Sequence, residues 1–358
     1  MPKTPAQLGF RYPAEWERHG ATWIGWPHNV SDWPGKFGPV PWAFGELVRH
    51  IAQGEQVRIL VKDARHEAGA RRTLGKLDLA PERLTFLRVP TDRGWTRDFG
   101  PFFVRRDQRP EAAILDYRFN GWAKYDDWKL DDAVARKMAR RFDHRLFPVT
   151  QRQQAVVLEG GGLDVNGRGS LLTTEECFLD QEVQCRNPGF TRTDMNRVFR
   201  DYLGADNVLW FGKGIAGDDT HGHVDDLARF VNPTTLVLVR EKNTRDANYR
   251  PLAENWERVS SMRLENGARV EAIPLPMPAP VFFAGQRLPA SYANFYLCNA
   301  AVLVPTFNDP NDRIALGILS ELITDRPVVG IHALDLVWGL GTLHCLTREE
   351  PLIDELPT

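Results

Sequence analysis

The chain has 358 residues, 42% hydrophobic and 26% charged, which is enough material for one large core or two smaller ones. A formal net charge of −2 and an isoelectric point near 6.5 give no basic footprint for nucleic acid or an anionic membrane. No apolar run approaches the roughly 20 residues that cross a bilayer, and the first residues lack the apolar stretch of a secretory signal.

In chain order, amphipathic periodicity predicts helices over 44–53, 65–75, 131–142, 192–203, 248–265 and 312–323. Between them, β-rich runs fall at 56–62, 84–90, 208–213 and 326–333. Four hairpins are expected, with turns at 107–110, at Asn166-Gly167, at Asn232-Pro233 and near Asn299. No low-complexity linker interrupts the pattern, so the expectation is one domain over 1–358. Cys177, Cys185, Cys298 and Cys345 have neither the spacing of a disulfide framework nor the paired CxxC of structural zinc. Most are expected to be small buried hydrophobes, in a cytoplasmic protein.

What precedes each hairpin carries chemistry. Asp98, Glu159 and Asp225 stand before the first three, and Tyr292 and Asn294 open the fourth, at intervals of 61, 66 and 69 residues ending on Asn294. Each interval holds a hairpin, a helix and a further strand, which suggests repeated modules around an axis. Equivalent positions then converge, so the three carboxylates are predicted to meet. Gathering anions in one pocket is costly unless a cation arrives, and a planar guanidinium fits carboxylates two at a time. Taken singly, Asp98 beside Arg97 reads equally as a structural ion pair, and Glu159 before Gly160, Gly161 and Gly162 as a turn. Those glycines are expected to supply close approach and unusual φ.

His344-Cys345 lies in a β-like run near the C-terminus, and a thiol with a histidine elsewhere in the chain is the pattern of nucleophilic catalysis. His221 and His223 supply that histidine, and with Cys345 they also permit a metal site. Trp95, Trp122, Trp128 and the tryptophans of "TWIGWPHNVSDWPG" offer faces for a cation, or core packing between modules.

The segments "PAEWERHGATWIGWPHN", "WTRDFGP", "FNGW", "LEGGG", "GSLLTTEECFL", "GDDTHGHVDDLARF", "PASYANFYLCNAAVLVPTF" and "GTLHC" together resemble the agmatine deiminase family, within the guanidino-group-modifying enzymes, along nearly the whole chain. The resemblance implies a five-fold pseudosymmetric α/β propeller of ββαβ-type modules. It also implies Cys345 as nucleophile, His223 as general acid and base, and Asp98, Glu159 and Asp225 as guanidinium ligands, with Trp95 and Trp122 beside the substrate. No metal or organic cofactor is implied. The expected partner is a small cationic guanidino substrate, and a homodimer is the base-rate expectation for assembly. The sequence departs from the family at His221, where an acidic residue is common, and in "GLGTLHCL", which has fewer consecutive glycines. Free, methylated or peptidyl arginine remains the competing substrate, and a metal-dependent hydrolase or an inert binding module the competing classes.

Overall fold

The computed structural model describes residues 3–353. Five sheets of three or four strands share one local plan: an antiparallel pair, a helix, then a strand parallel to the second of the pair. In the first unit Phe102–Arg106 pairs antiparallel with Glu111–Asp116, and Arg145–Pro148 returns parallel after helix Val134–Arg141. The second uses Asp164–Val165, Ser170–Thr174 and Asn207–Phe211 around helix Arg192–Val198. The third uses Ala228–Phe230, Thr235–Arg240 and Glu271–Pro276 around helix Tyr249–Ser261. In the fourth, Tyr296–Leu297, Val302–Thr306 and Val328–His332 flank helix Pro310–Leu322.

The fifth unit joins the two ends of the chain. Thr347–Pro351 pairs antiparallel with His19–Gly25, which is parallel to Gln56–Val61 across helix Val40–Ile51, and Leu84–Arg88 extends the sheet after helix Ala64–Leu74. The extreme N-terminal strand, Phe10–Arg11, edges the first unit instead.

Local chemistry explains the elements. Strands that take a parallel neighbour are covered on both faces and read as unbroken apolar runs: in Thr235–Arg240 only the terminal Arg240 is exposed. Helix Pro310–Leu322 starts from a capping box between Asp309 and Asp312, with Pro310 where no N–H is needed. The four expected hairpins are present, and the predicted helices are found within a few residues of their expected ends. Two differ in kind. The 131–142 segment breaks into Lys129–Asp132 and Val134–Arg141, because Asp132 turns inward to accept from the backbone N–H of Phe119 and to pair with Arg118 and Arg136. The 192–203 segment ends in a π turn, Phe199–Leu203, that packs Phe199 and Leu203 into a hydrophobic cluster with Phe10, Phe178, Met195 and Trp210.

Candidate active site

Each unit ends its approach to its first strand in a short turn, and those turns carry the candidate residues. Asp98 lies in the helical turn Thr96–Phe99, Glu159 caps the tight turn Gly160–Gly162, and Asp225 lies in Val224–Asp226. Asn294 precedes Tyr296–Leu297 in the fourth unit, and Cys345 precedes Thr347–Pro351 in the fifth. The β-like run expected around His344-Cys345 is therefore a turn at a strand entry.

The structure brings these residues together. Asn294 donates from Nδ2 to the Cys345 sulfur at 3.1 Å, and that sulfur lies 3.6 Å from Asp225 Oδ2. His223 Nδ1 is 3.9 Å from Asp98 and its Nε2 3.7 Å from Glu159, and among the described residues neither ring nitrogen has a hydrogen-bond partner. Asp98 accepts from the Gly161 N–H at 2.9 Å and the Trp122 indole at 2.8 Å. Glu159 accepts from Arg186 Nε at 3.2 Å. Asp225 is bonded through Oδ2 to His344 Nδ1 at 2.7 Å, leaving Oδ1 without a partner. Cys345, Asp98, Trp95 and Trp122 line a cavity of about 320 Å³ together with Arg93, Tyr125 and Asp219.

Burial and mutual repulsion dominate the electrostatics. Burial pushes the Cys345 thiol well above its usual range, and Asp225, Asp226 and Asp98 push it further. Burial also raises Asp98, although His223 opposes this. For Glu159 the burial penalty is overcome by the Arg186 guanidinium and by His223, which hold the carboxyl below its usual range. Asp225 is likewise lowered against its burial, by the hydrogen bond and charge of His344. Burial alone would neutralise His223, but Asp98, with Cys177 and Glu159, holds the imidazolium well above its ordinary range. Such an anion-rich, water-poor chamber disfavours a thiolate until positive charge enters.

Gly161 is required by contact. A Cβ there would stand 2.5 Å from His223 Nδ1 and 3.0 Å from Asp225 Oδ2. The unusual φ expected of Gly160, Gly161 and Gly162 is absent, for none has positive φ. Their tight turn is reached with ordinary dihedrals, and bareness alone is what the site uses. Gly161→Ala is expected to lower kcat/KM by at least about 10²-fold through displacement of His223, with an unchanged circular-dichroism spectrum. Unaltered kinetics would show that the close approach is immaterial.

Positive φ is found on the walls instead, at Trp122 with 57° and Leu340 with 70°, and away from them at His221 with 62°. His221 does not join a set with His223 and Cys345. Its Nε2 pairs with Asp180 at 3.1 Å on a different face, so the competing metal set is not assembled. The group whose ligand atoms do lie within 4.8 Å of one another is Glu159, Cys177 and His223, where Arg186 already places a cation beside Glu159. Of the tryptophans, Trp95 and Trp122 line the cavity, whereas Trp23, Trp26 and Trp33 are core.

Sequence reasoning passed over Cys177, Arg186, Asp226 and His344 as participants, and also Glu15. Glu15 binds His344 at 2.7 Å, Arg97 at 3.1 Å and Arg229 at 2.8 Å. His344 and Asp226 carried a signal in their adjacency to Cys345 and Asp225, and Glu15 and Cys177 in lying within the segments of the resemblance; Arg186 is brought in by folding.

The profile of the family described as Porphyromonas-type peptidyl-arginine deiminase matches residues 11–351. The chain is 32% identical to an agmatine deiminase of Ectopseudomonas mendocina (strain ymp), with 97% of each chain covered. It is similar to the solved agmatine deiminase of Enterococcus faecalis, with a TM-score of 0.88, 31% identity and 98% of each chain covered. An amidinotransferase from Microseira wollei, 12% identical with a TM-score of 0.52 over 97% of this chain and 99% of its own, shares the fold alone.

Proposed function

The chain belongs to the Porphyromonas-type peptidyl-arginine deiminase family, and on that premise we propose that it is an agmatine deiminase, hydrolysing agmatine to N-carbamoylputrescine and ammonia. The observation that carries the reading is the buried sulfur of Cys345, which lines the cavity with Asp98 and lies 3.6 Å from Asp225, while His223 stands between Asp98 and Glu159. Carboxylates around that sulfur favour a substrate that keeps its positive charge, where acyl transfer would call for donors to an oxyanion.

In this mechanism the carboxylates hold the guanidinium flat against the sulfur. The arriving cation offsets the anions that suppress thiol ionisation, so the thiol proton passes to solvent and the Cys345 thiolate delivers its electron pair to the guanidinium carbon. A C–S bond forms, His223 donates a proton to one nitrogen, and the C–N bond breaks to release ammonia. The resulting thiouronium is attacked by water, from which His223 takes a proton. The C–S bond then breaks, returning the sulfur and freeing the ureido product. Trp95 and Trp122 flank the methylene chain. The five equivalent turns support an arrangement of the units around a pseudo-five-fold axis, an α/β propeller forming one catalytic domain over 1–358. On this reading the activity is a step of putrescine and polyamine biosynthesis in the cytoplasm.

Agmatine is favoured over arginine by the cavity's charges. The basic residue on its wall, Arg93, is engaged by both Asp32 and Asp127, which leaves no free cation there for an α-carboxylate. Ammonia release is expected from agmatine at least about 100-fold faster than from arginine at equal low concentration, since an unmatched buried charge costs several kcal/mol, and chelators are expected to leave the rate unchanged. Preference for arginine, or loss of activity with chelator and its return with zinc, would overturn this reading.

A further inference from the structure

We infer that Asp32 receives the terminal ammonium of the substrate and so sets the preference for a cationic tail, an assignment that rests on the agmatine deiminase reading above. Contacts along the cavity lining connect Asp98 and Cys345 to Asp32. Trp122, whose indole binds Asp98, meets Tyr125 with ring centroids 5.9 Å apart. Tyr125 then touches two further groups of the lining: its hydroxyl donates to Asp219 at 2.6 Å, and the Arg93 guanidinium lies 4.2 Å from its ring centroid. Arg93 pairs with Asp32 and, at 2.7 Å, with Asp127. Asp32 is fixed by its neighbour Trp33, whose indole donates to the Leu336 carbonyl at 3.0 Å and packs 5.2 Å from the wall residue Trp95.

Among the carboxylates that line the cavity, Asp32, Asp98 and Asp219, one oxygen stands out. Both oxygens of Asp98 already have a donor, in the Gly161 N–H and the Trp122 indole. Both oxygens of Asp219 are taken as well, by Lys124 and Tyr125. Asp32 is 7% exposed and lines the cavity; Arg93 occupies its Oδ1, and Oδ2 has no partner among the described residues. A buried carboxylate oxygen without a donor is costly, and an ammonium supplies three donors.

Charge points the same way. Beyond Asp98, the charged residues that line the cavity are Asp32 and Asp219 against Arg93, two anions against one cation. One further positive charge balances the group, where a zwitterionic or neutral tail does not. Arg93 Nε is also unpartnered, but its charge is already matched by two carboxylates. Burial pushes the Asp32 carboxyl up to about 7 against the pull of Arg93, and a bound ammonium would draw it back toward ionisation.

The test compares agmatine with n-butylguanidine, the same chain without the amine, in wild type, Asp32→Asn and Asp127→Asn. Wild type is expected to favour agmatine by at least about 30-fold in kcat/KM, and Asp32→Asn to lose most of that preference through KM while butylguanidine changes by less than about threefold. Asp127→Asn disturbs the same arginine from outside the cavity and is expected to leave the preference intact. Equal treatment of the two substrates by wild type overturns the assignment without any variant needing to fold. An equal loss on both substrates in Asp32→Asn, or a lost preference in Asp127→Asn, overturns it too. A wild type inactive on both guanidines, or active only on arginine, would instead fail the deiminase reading itself.

Discussion

Cys345→Ser is expected to lower kcat for ammonia release from agmatine by at least about 10⁴-fold, with the thermal midpoint nearly unchanged. Serine has almost the same shape, so Asn294 Nδ2 and Asp225 Oδ2 keep a polar neighbour at the distances now held by sulfur, 3.1 Å and 3.6 Å. What is lost is ionisation. Even the thiol is held well above its usual range here by burial and by Asp225, Asp226 and Asp98, and a hydroxyl is far harder to deprotonate. In the free enzyme, alkylation of Cys345 by iodoacetamide is therefore expected to accelerate only above the ordinary thiol range. In wild type, acid quenching during turnover is expected to trap an adduct heavier than the enzyme by agmatine less ammonia, mapped to Cys345 by mass spectrometry. Turnover by the serine variant near the wild-type rate, or an adduct on Cys177, would remove Cys345 from the nucleophile's role.

Glu15→Gln is expected to destabilise the fold by about 3–5 kcal/mol, the penalty for breaking a buried ion pair and stranding its partners. Glu15 enters from the N-terminal segment and binds Arg229, Arg97 and His344, and also accepts from the Leu297 N–H at 2.8 Å. Each partner is buried, so glutamine leaves Arg229 and Arg97 short of a counter-charge. The sign with pH follows from the direction of the shift. Burial would raise the Glu15 carboxyl, but Arg229, His344 and Arg97 overcome it and hold it well below its usual range. Its contribution is therefore complete above the carboxyl's unfolded value and is lost as pH falls through the depressed folded value. Denaturation midpoints of wild type and Glu15→Gln should thus stand far apart at neutral pH and converge in acid. A constant gap down to acid pH would contradict the ion-pair account. Because His344 links Glu15 to Asp225, the variant is also expected to lose activity while it remains folded.

Much of the site was legible before the fold. Asp98, Glu159 and Asp225 stand out because each precedes a hairpin at a regular interval, and the resemblance supplied His223 and Cys345. The hairpin turns were readable because Asn166-Gly167 and Asn232-Pro233 announce themselves locally. The metal set built on His221 failed because a spacing of two residues says nothing of direction. His221 takes positive φ and turns to Asp180, while His223 turns inward. The glycine turn was read correctly as a close approach but wrongly as a strained one, since sequence cannot distinguish glycine used for its dihedrals from glycine used for its lack of a side chain.

Alternation, capping residues and turn pairs act within a few residues, so the sequence alone determines the order of hairpins, helices and strands, and with it the recurrence of chemically useful residues at strand entries. Whether those residues share one chamber is a matter of contacts between positions hundreds of residues apart. Glu15 meets His344, Cys345 meets Asp225, and the last strand pairs with His19–Gly25, only once the units are assembled. The same assembly removes water, and it is this desolvation that raises the Cys345 thiol and leaves one oxygen of Asp32 waiting for a donor.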